Sequence, residues 1–146
     1  MVDACPFCRI ADGADSAAHV VASHSEWLAF FPTQPATVGH TLLIPRIHVQ
    51  DYWSLDVRLA ETLARASLRL GRAIDRALKP EGMNLITSAG AAAEQSVLHL
   101  HIHLLPRHEN DGVALWPASS PPYPSEELEL AARRIGSELG SVDAPL

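Results

Sequence analysis

Positive charge is scarce in this chain: 11 lysines and arginines stand against 17 acids, a formal net charge of −6. That balance excludes a general affinity for DNA or RNA backbones, which needs a basic footprint. Any anionic ligand must instead be held by a local cluster. Long apolar runs are also missing, since stretches such as Thr41 to Ile44 fall far short of the roughly 20 residues a helix needs to span a bilayer. The start, Met1 to Cys8, is acidic and cysteine-bearing and does not read as a signal peptide, so a cytoplasmic protein without membrane association is expected. Cysteine is limited to Cys5 and Cys8, spaced C-x-x-C. A reducing compartment argues against a structural disulfide between them and leaves metal binding or redox chemistry. No internal repeat is found. Of the 146 residues 47% are hydrophobic, which suits one compact domain with a real core over 1–146.

Strand and helix signals alternate along the chain. His19–Ala22 and Trp27–Phe31 read as two short strands joined by the polar Ser23–Glu26 turn, a hairpin. The prolines and glycine of Pro32–Gly39 mark a loop, and His40–Pro45 reads as a third strand. Leu55, Leu59, Leu63, Ala66, Leu70, Ile74 and Ala77 recur at steps of three or four behind Ser54, the expected N-cap of a long amphipathic helix. Lys79-Pro80-Glu81-Gly82 stops it. Met83–Thr87 is a fourth strand, Ser88–Glu94 a small-residue loop and Leu98–Leu105 a fifth strand; after the proline-rich 116–124, Ser125 caps a final helix over 125–139. This order predicts an α+β domain on an antiparallel sheet.

The chemistry concentrates in "SVLHLHIHLLPR", Ser96 to Arg107. In an extended strand His99, His101 and His103 share one face at steps of about 6.6 Å, and Leu100, Ile102 and Leu104 take the other. Three readings of that face stand open. It is a solvated polar face, a metal site in which His-x-His grips zinc or copper, or a phosphoryl or nucleotidyl transfer site in which one neutral imidazole attacks phosphorus while its neighbours donate to phosphate oxygens.

"QSVLHLHIHLLPR" (95–107), together with "VGHTLLIPRIH" (38–48), "WLAFFPTQP" (27–35) and the N-terminal Cys-Pro-Phe-Cys, resembles the histidine triad (HIT) family of nucleotidyl hydrolases and transferases over roughly residues 5–107. The resemblance implies a five-stranded antiparallel sheet with two helices, a homodimer paired through the helix and one strand, and a covalent nucleotidyl-histidine intermediate. It implies His101 as nucleophile, attacking with one ring nitrogen while the other donates to a backbone carbonyl. His103 then hydrogen-bonds the phosphate or bridging oxygen and helps protonate the leaving group, Ser96 donates to phosphate oxygens, and His40 lies behind the nucleophile near the leaving group. Ser88, Gln95, Phe31 and Thr33 fall at substrate-lining positions. In members with an N-terminal C-x-x-C the family holds a structural zinc, which here implies Cys5, Cys8, His48 and His99 as a closed tetrahedral site. A redox C-x-x-C would instead be expected at a helix N-terminus. No catalytic metal is implied.

Two departures from the family pattern bear on specificity. Pro32 stands where an aspartate usually holds the ribose hydroxyls, and Ser88 where an Asn or Gln reaches the leaving-group side. Glu94 stands where a glycine precedes the glutamine. Arg46 and Arg107, at strand ends, are expected to be solvated or paired with carboxylates. The expected reaction releases a nucleoside 5′-monophosphate from a dinucleoside polyphosphate, a nucleoside phosphoramidate or an acyl nucleotide. The competing expectations are a nucleotide sensor with little turnover and a metallohydrolase using His101 and His103 as ligands. Leu115, Trp116 and Pro117 either close over the leaving group or pack on the core.

Overall fold

A computed structural model of the chain describes residues 5–117, 119 and 122–142. The chain divides into a unit ending at Gly112 and a second from Val113 onward. The first unit runs α1 (Pro6–Ala11), β1 (Val20–Ser23), β2 (Trp27–Phe30), β3 (Thr41–Pro45), α2 (Val57–Leu78), β4 (Gly82–Thr87) and β5 (Ile102–Arg107). The five strands form one sheet in the order β1-β2-β3-β5-β4, antiparallel at every pairing. The second unit contains the helix α3 (Ser125–Val142). No helix among the described residues is long and apolar enough to cross a membrane.

Both faces of the central strands are covered, so every residue of β2 and β3 is buried. Successive side chains alternate between the faces. Trp27, Ala29, Leu43, Ile102 and Leu104 meet the apolar stripe of α2, made of Leu59, Leu63, Ala66, Leu70 and Ile74. Leu28, Phe30, Leu42 and Ile44 meet Phe7 and Ala11 of α1 on the other side. The residues between Ile102 and Leu104 and beside Leu42 in the ladder therefore belong to the α1 face; His103 pairs with Leu42 there.

Four details depart from the sequence reading. The N-cap of α2 is Asp56, whose side chain accepts the Leu59 N–H at 2.8 Å, because Tyr52–Ser54 close a separate 3-10 turn capped by Asp51. The short helix α1 carries no legible period in six residues and went unpredicted. Cys5 is its N-cap and Cys8 lies in its first turn, so the C-x-x-C does sit at a helix N-terminus. The fifth strand begins at Ile102 instead of Leu98: Leu100 N–H donates to Val49 O at 2.7 Å, and only His103 of the triad lies in the ladder. The triad is therefore not one continuous ladder strand, and the rings of His101 and His103 lie 5.0 Å apart between centroids.

Candidate active site and metal centre

The bend before β5 turns the three histidines to three different tasks. His99 is fully buried and His101 is 6% exposed, which removes the reading of a solvated polar face. The Nε2–H of His99 donates to Pro45 O at 2.9 Å, leaving its Nδ1 lone pair aimed at the cysteines. His101 donates from Nδ1 to the carbonyl of His99 at 2.8 Å, so its lone pair is on Nε2. His103 Nδ1 lies 2.9 Å from His40 Nε2. The Phe7 ring meets His99 and His101 edge-on, with centroids 5.9 and 5.2 Å away. Thr87 Oγ1 of β4 donates to His101 O at 3.0 Å, pinning the backbone of that residue.

Burial lowers the basicity of this cluster. The pKa of His103 is pushed down to about 4, first by burial and then by the potential charges of His101 and His40. Burial also lowers that of His40. Both rings are neutral at pH 7 and act as hydrogen-bonding groups without a net charge.

Cys5, Cys8, His48 and His99 are positioned to bind a metal. Their donor atoms all lie within 4.8 Å of one another. The Sγ to Nδ1 separations are 3.5 Å for Cys5 to His99, 3.3 Å for Cys8 to His48 and 3.5 Å for Cys8 to His99. A tetrahedron with metal–sulfur bonds of about 2.3 Å and metal–nitrogen bonds of about 2.0 Å has sulfur–nitrogen edges of about 3.5 Å, so the donor set fits a zinc-sized ion. The thiol chemistry argues against a redox pair despite the helix N-terminus. Burial, and then neighbouring Cys5, raises the Cys8 pKa to about 11, the opposite of an activated thiolate. Coordination would reverse that cost by holding the thiolate.

The loop between β4 and the triad is anchored by Gln95, whose buried amide donates to Gln50 O at 2.7 Å and accepts Gly90 N–H at 2.9 Å. That leaves Ser96 exposed, its hydroxyl without a partner among the described residues, and Ser88 half-buried. Glu94 adopts φ 62°, a left-handed backbone where L residues are strained. Phe31 and Thr33 are exposed just past β2, beside half-buried Pro32. Arg46 donates to Ala11 O, His24 O and Ser23 Oγ, and Arg107 pairs with Asp111 and Asn84, so both serve the fold. The sequence reading missed Phe7, Thr87, the carbonyl of Pro45 and the backbone amide of Ala36. Only Phe7, an aromatic between two cysteines, left any trace in the sequence.

A five-stranded antiparallel sheet with a histidine triad leading into its β5 strand defines a HIT domain, and the HIT domain family model matches residues 14–110. The chain belongs to the HIT family. It is similar to a HIT family protein of Bacillus subtilis of known structure, with a TM-score of 0.82 and 31% identity over 92% of this chain and 96% of that one. The adenosine 5′-monophosphoramidase of Schizosaccharomyces pombe is 32% identical over 92% of this chain and 98% of its own length. A zinc-bound histidine triad protein of Mycobacterium smegmatis superposes with a TM-score of 0.71 at 28% identity, covering 98% of this chain and all (100%) of that chain.

Proposed function

We propose that the chain is a nucleotide hydrolase or transferase that releases a nucleoside 5′-monophosphate from a leaving group through two displacements at phosphorus. The observation that carries this reading is the bond from His101 Nδ1–H to His99 O, which leaves an unshared pair on Nε2 of a ring held in place. In the first step that pair forms a bond to the α-phosphorus, and the bond from phosphorus to the leaving group breaks with its electrons passing to that group. Water then attacks the same phosphorus, losing a proton to the solvent, and the bond from phosphorus to His101 breaks with its electron pair returning to Nε2. His103 and the hydroxyl and backbone amide of Ser96 donate to the phosphate oxygens, the amides of Glu94 and Gln95 being spent on Ala91 O and Gly90 O, and His40 stands behind them. Gln95 holds this turn, while Ser88, Phe31 and Thr33 line the substrate. The donors are neutral, which favours leaving groups that bring little charge of their own: a phosphoramidate or an acyl nucleotide ahead of a dinucleoside polyphosphate.

The reading extends to the rest of the molecule. Zinc in the Cys5, Cys8, His48, His99 centre would tie the N-terminal helix to the strand ends, and it takes no part in the reaction. A second copy would pack on the groove between α2 and the edge strand β4, where Leu68 and Leu85 are 54% and 62% exposed. Residues 5–107 would carry the activity, with the α3 segment as an extension.

The deciding experiment follows stereochemistry at phosphorus with a chiral nucleoside phosphorothioate substrate. Two displacements give retention, whereas a single attack by water gives inversion and would overturn the role of His101. His101→Ala is expected to lose at least about three orders of magnitude in kcat with ligand affinity little changed. A wild-type chain that binds nucleotide but turns over no conjugate would support the sensor reading instead.

A further inference from the structure

Both ring nitrogens of His40 are occupied. The backbone N–H of Ala36 donates to His40 Nδ1 at 3.1 Å. A backbone amide can only donate, so Nδ1 holds the lone pair and the ring hydrogen is on Nε2. That Nε2–H points at His103 Nδ1, 2.9 Å away, which must therefore accept. The one hydrogen left to a neutral His103 is then on its Nε2. A reversed His103 would set two N–H groups against each other across 2.9 Å.

The loop that supplies the amide is fastened to the strand that carries the ring. Thr37 Oγ1 donates to Pro106 O at 2.7 Å, three residues beyond His103. The His40 N–H returns to Thr37 O at 3.1 Å, and Thr41 Oγ1 donates to Gly39 O at 2.9 Å. Gly39, at φ 88°, sits where an added Cβ would come within 2.2 Å of Leu78 Cδ1. The amide thus has little freedom to retreat from the imidazole.

Two different backbone groups consequently set two neighbouring imidazoles to opposite polarity. The carbonyl of His99 takes the Nδ1 hydrogen of His101 and exposes a lone pair. The amide of Ala36, acting through His40, keeps the Nδ1 of His103 unprotonated and exposes an N–H. We propose that Ala36 N–H and His40 form a tautomer lock that holds His103 as an Nε2–H donor beside the Nε2 lone pair of His101. His40 is on this account a positioning residue that acts through His103 and need not touch the substrate. The target of the donor, a phosphate oxygen or the leaving atom, rests on the reading under "Proposed function"; the tautomer itself does not.

The test uses the full chain, metal-loaded, with 15N-labelled histidine and two-bond proton–nitrogen correlation to assign which nitrogen of each ring is protonated. His40 and His103 are expected as Nε2–H and His101 as Nδ1–H. Replacing the Ala36 peptide N–H by an ester oxygen, through incorporation of lactic acid, removes the donor and no side chain. His103 should then show the Nδ1–H form, with kcat falling roughly tenfold and KM within about twofold. His40→Leu should do the same. His40→Gln, whose amide N–H can reach His103 Nδ1, should restore the Nε2–H form and most of kcat. A wild-type His103 protonated on Nδ1, or an ester variant with unaltered tautomers, overturns the lock whatever the turnover. The expected tautomers with no conjugate turned over would sustain the lock and sink the proposed reaction.

Discussion

His99 O accepts the Nδ1 hydrogen of His101 at 2.8 Å, while the Nδ1 of His99 itself points at Cys5 and Cys8 from 3.5 Å. One residue therefore serves two neighbours, placing its ring among the four side chains positioned to bind a metal and its carbonyl on the proposed nucleophile. The two sites share a backbone unit, so loss of the centre should be felt first in stability and only secondarily in chemistry.

A preparation made without chelator is expected to carry about one zinc per chain, measured by elemental analysis. Cys8→Ser should lower Tm by roughly 5 °C or more, since a closed site contributes folding energy directly. The rate per folded molecule should change by less than about tenfold, because Pro45 O still holds the His99 ring. A metal-free wild type, or a variant equally stable but inactive, would contradict the assignment.

Acid should destabilise the chain through His103. Its pKa is lowered from 6.5 to about 4 in the folded state, so between those values the unfolded chain binds a proton that the native ring refuses. Stability therefore falls as pH drops from about 6.5 towards 4, by at most about 1.4 kcal/mol per pH unit for one such group and less for a partly exposed ring. His40, also lowered by burial, adds in the same direction. Urea midpoints across this window should fall less steeply for His103→Asn than for the wild type. Parallel curves would assign the acid sensitivity elsewhere.

Glu94 holds a left-handed backbone, and its side chain makes no bond among the described residues that would compensate. Glu94→Gly is expected to gain about 0.5–1 kcal/mol, the relief of strain exceeding the added chain entropy. Equilibrium denaturation measures it, and a destabilised variant would show that the carboxylate has a structural partner.

Just past β2, Pro32 has no side-chain acceptor at the position where the resemblance to the family implies a ribose-binding aspartate. Matched ribo and 2′-deoxyribo phosphoramidates should differ by less than about fivefold in kcat/KM on the wild type. A charge-assisted bond of roughly 1.5–3 kcal/mol would give tenfold or more. Pro32→Asp should raise the ratio if the loop still folds. Strong discrimination by the wild type would point to Thr33 or Gln34.

The sequence by itself determined the five strands and the long helix, and it named the candidate site residues that the fold then brings together in part. Alternation and the three-to-four-residue step of Leu59, Leu63, Ala66, Leu70 and Ile74 are set by local geometry, and a chain with that pattern gains by burying those faces. The four side chains positioned to bind a metal were legible because the C-x-x-C, the triad and the 38–48 segment that ends in His48 are short-range patterns. What only the tertiary structure decided was the division of labour among the histidines. The bend before β5 is held by the Leu100 N–H bond to Val49 O, and the ring orientations of His99, His101 and His40 are held by the backbone groups of Pro45, His99 and Ala36. Every residue offers a backbone carbonyl and every residue but proline an N–H, so these groups leave no mark on a sequence, and only their placement in space tells one imidazole to give a lone pair and its neighbour to give a hydrogen.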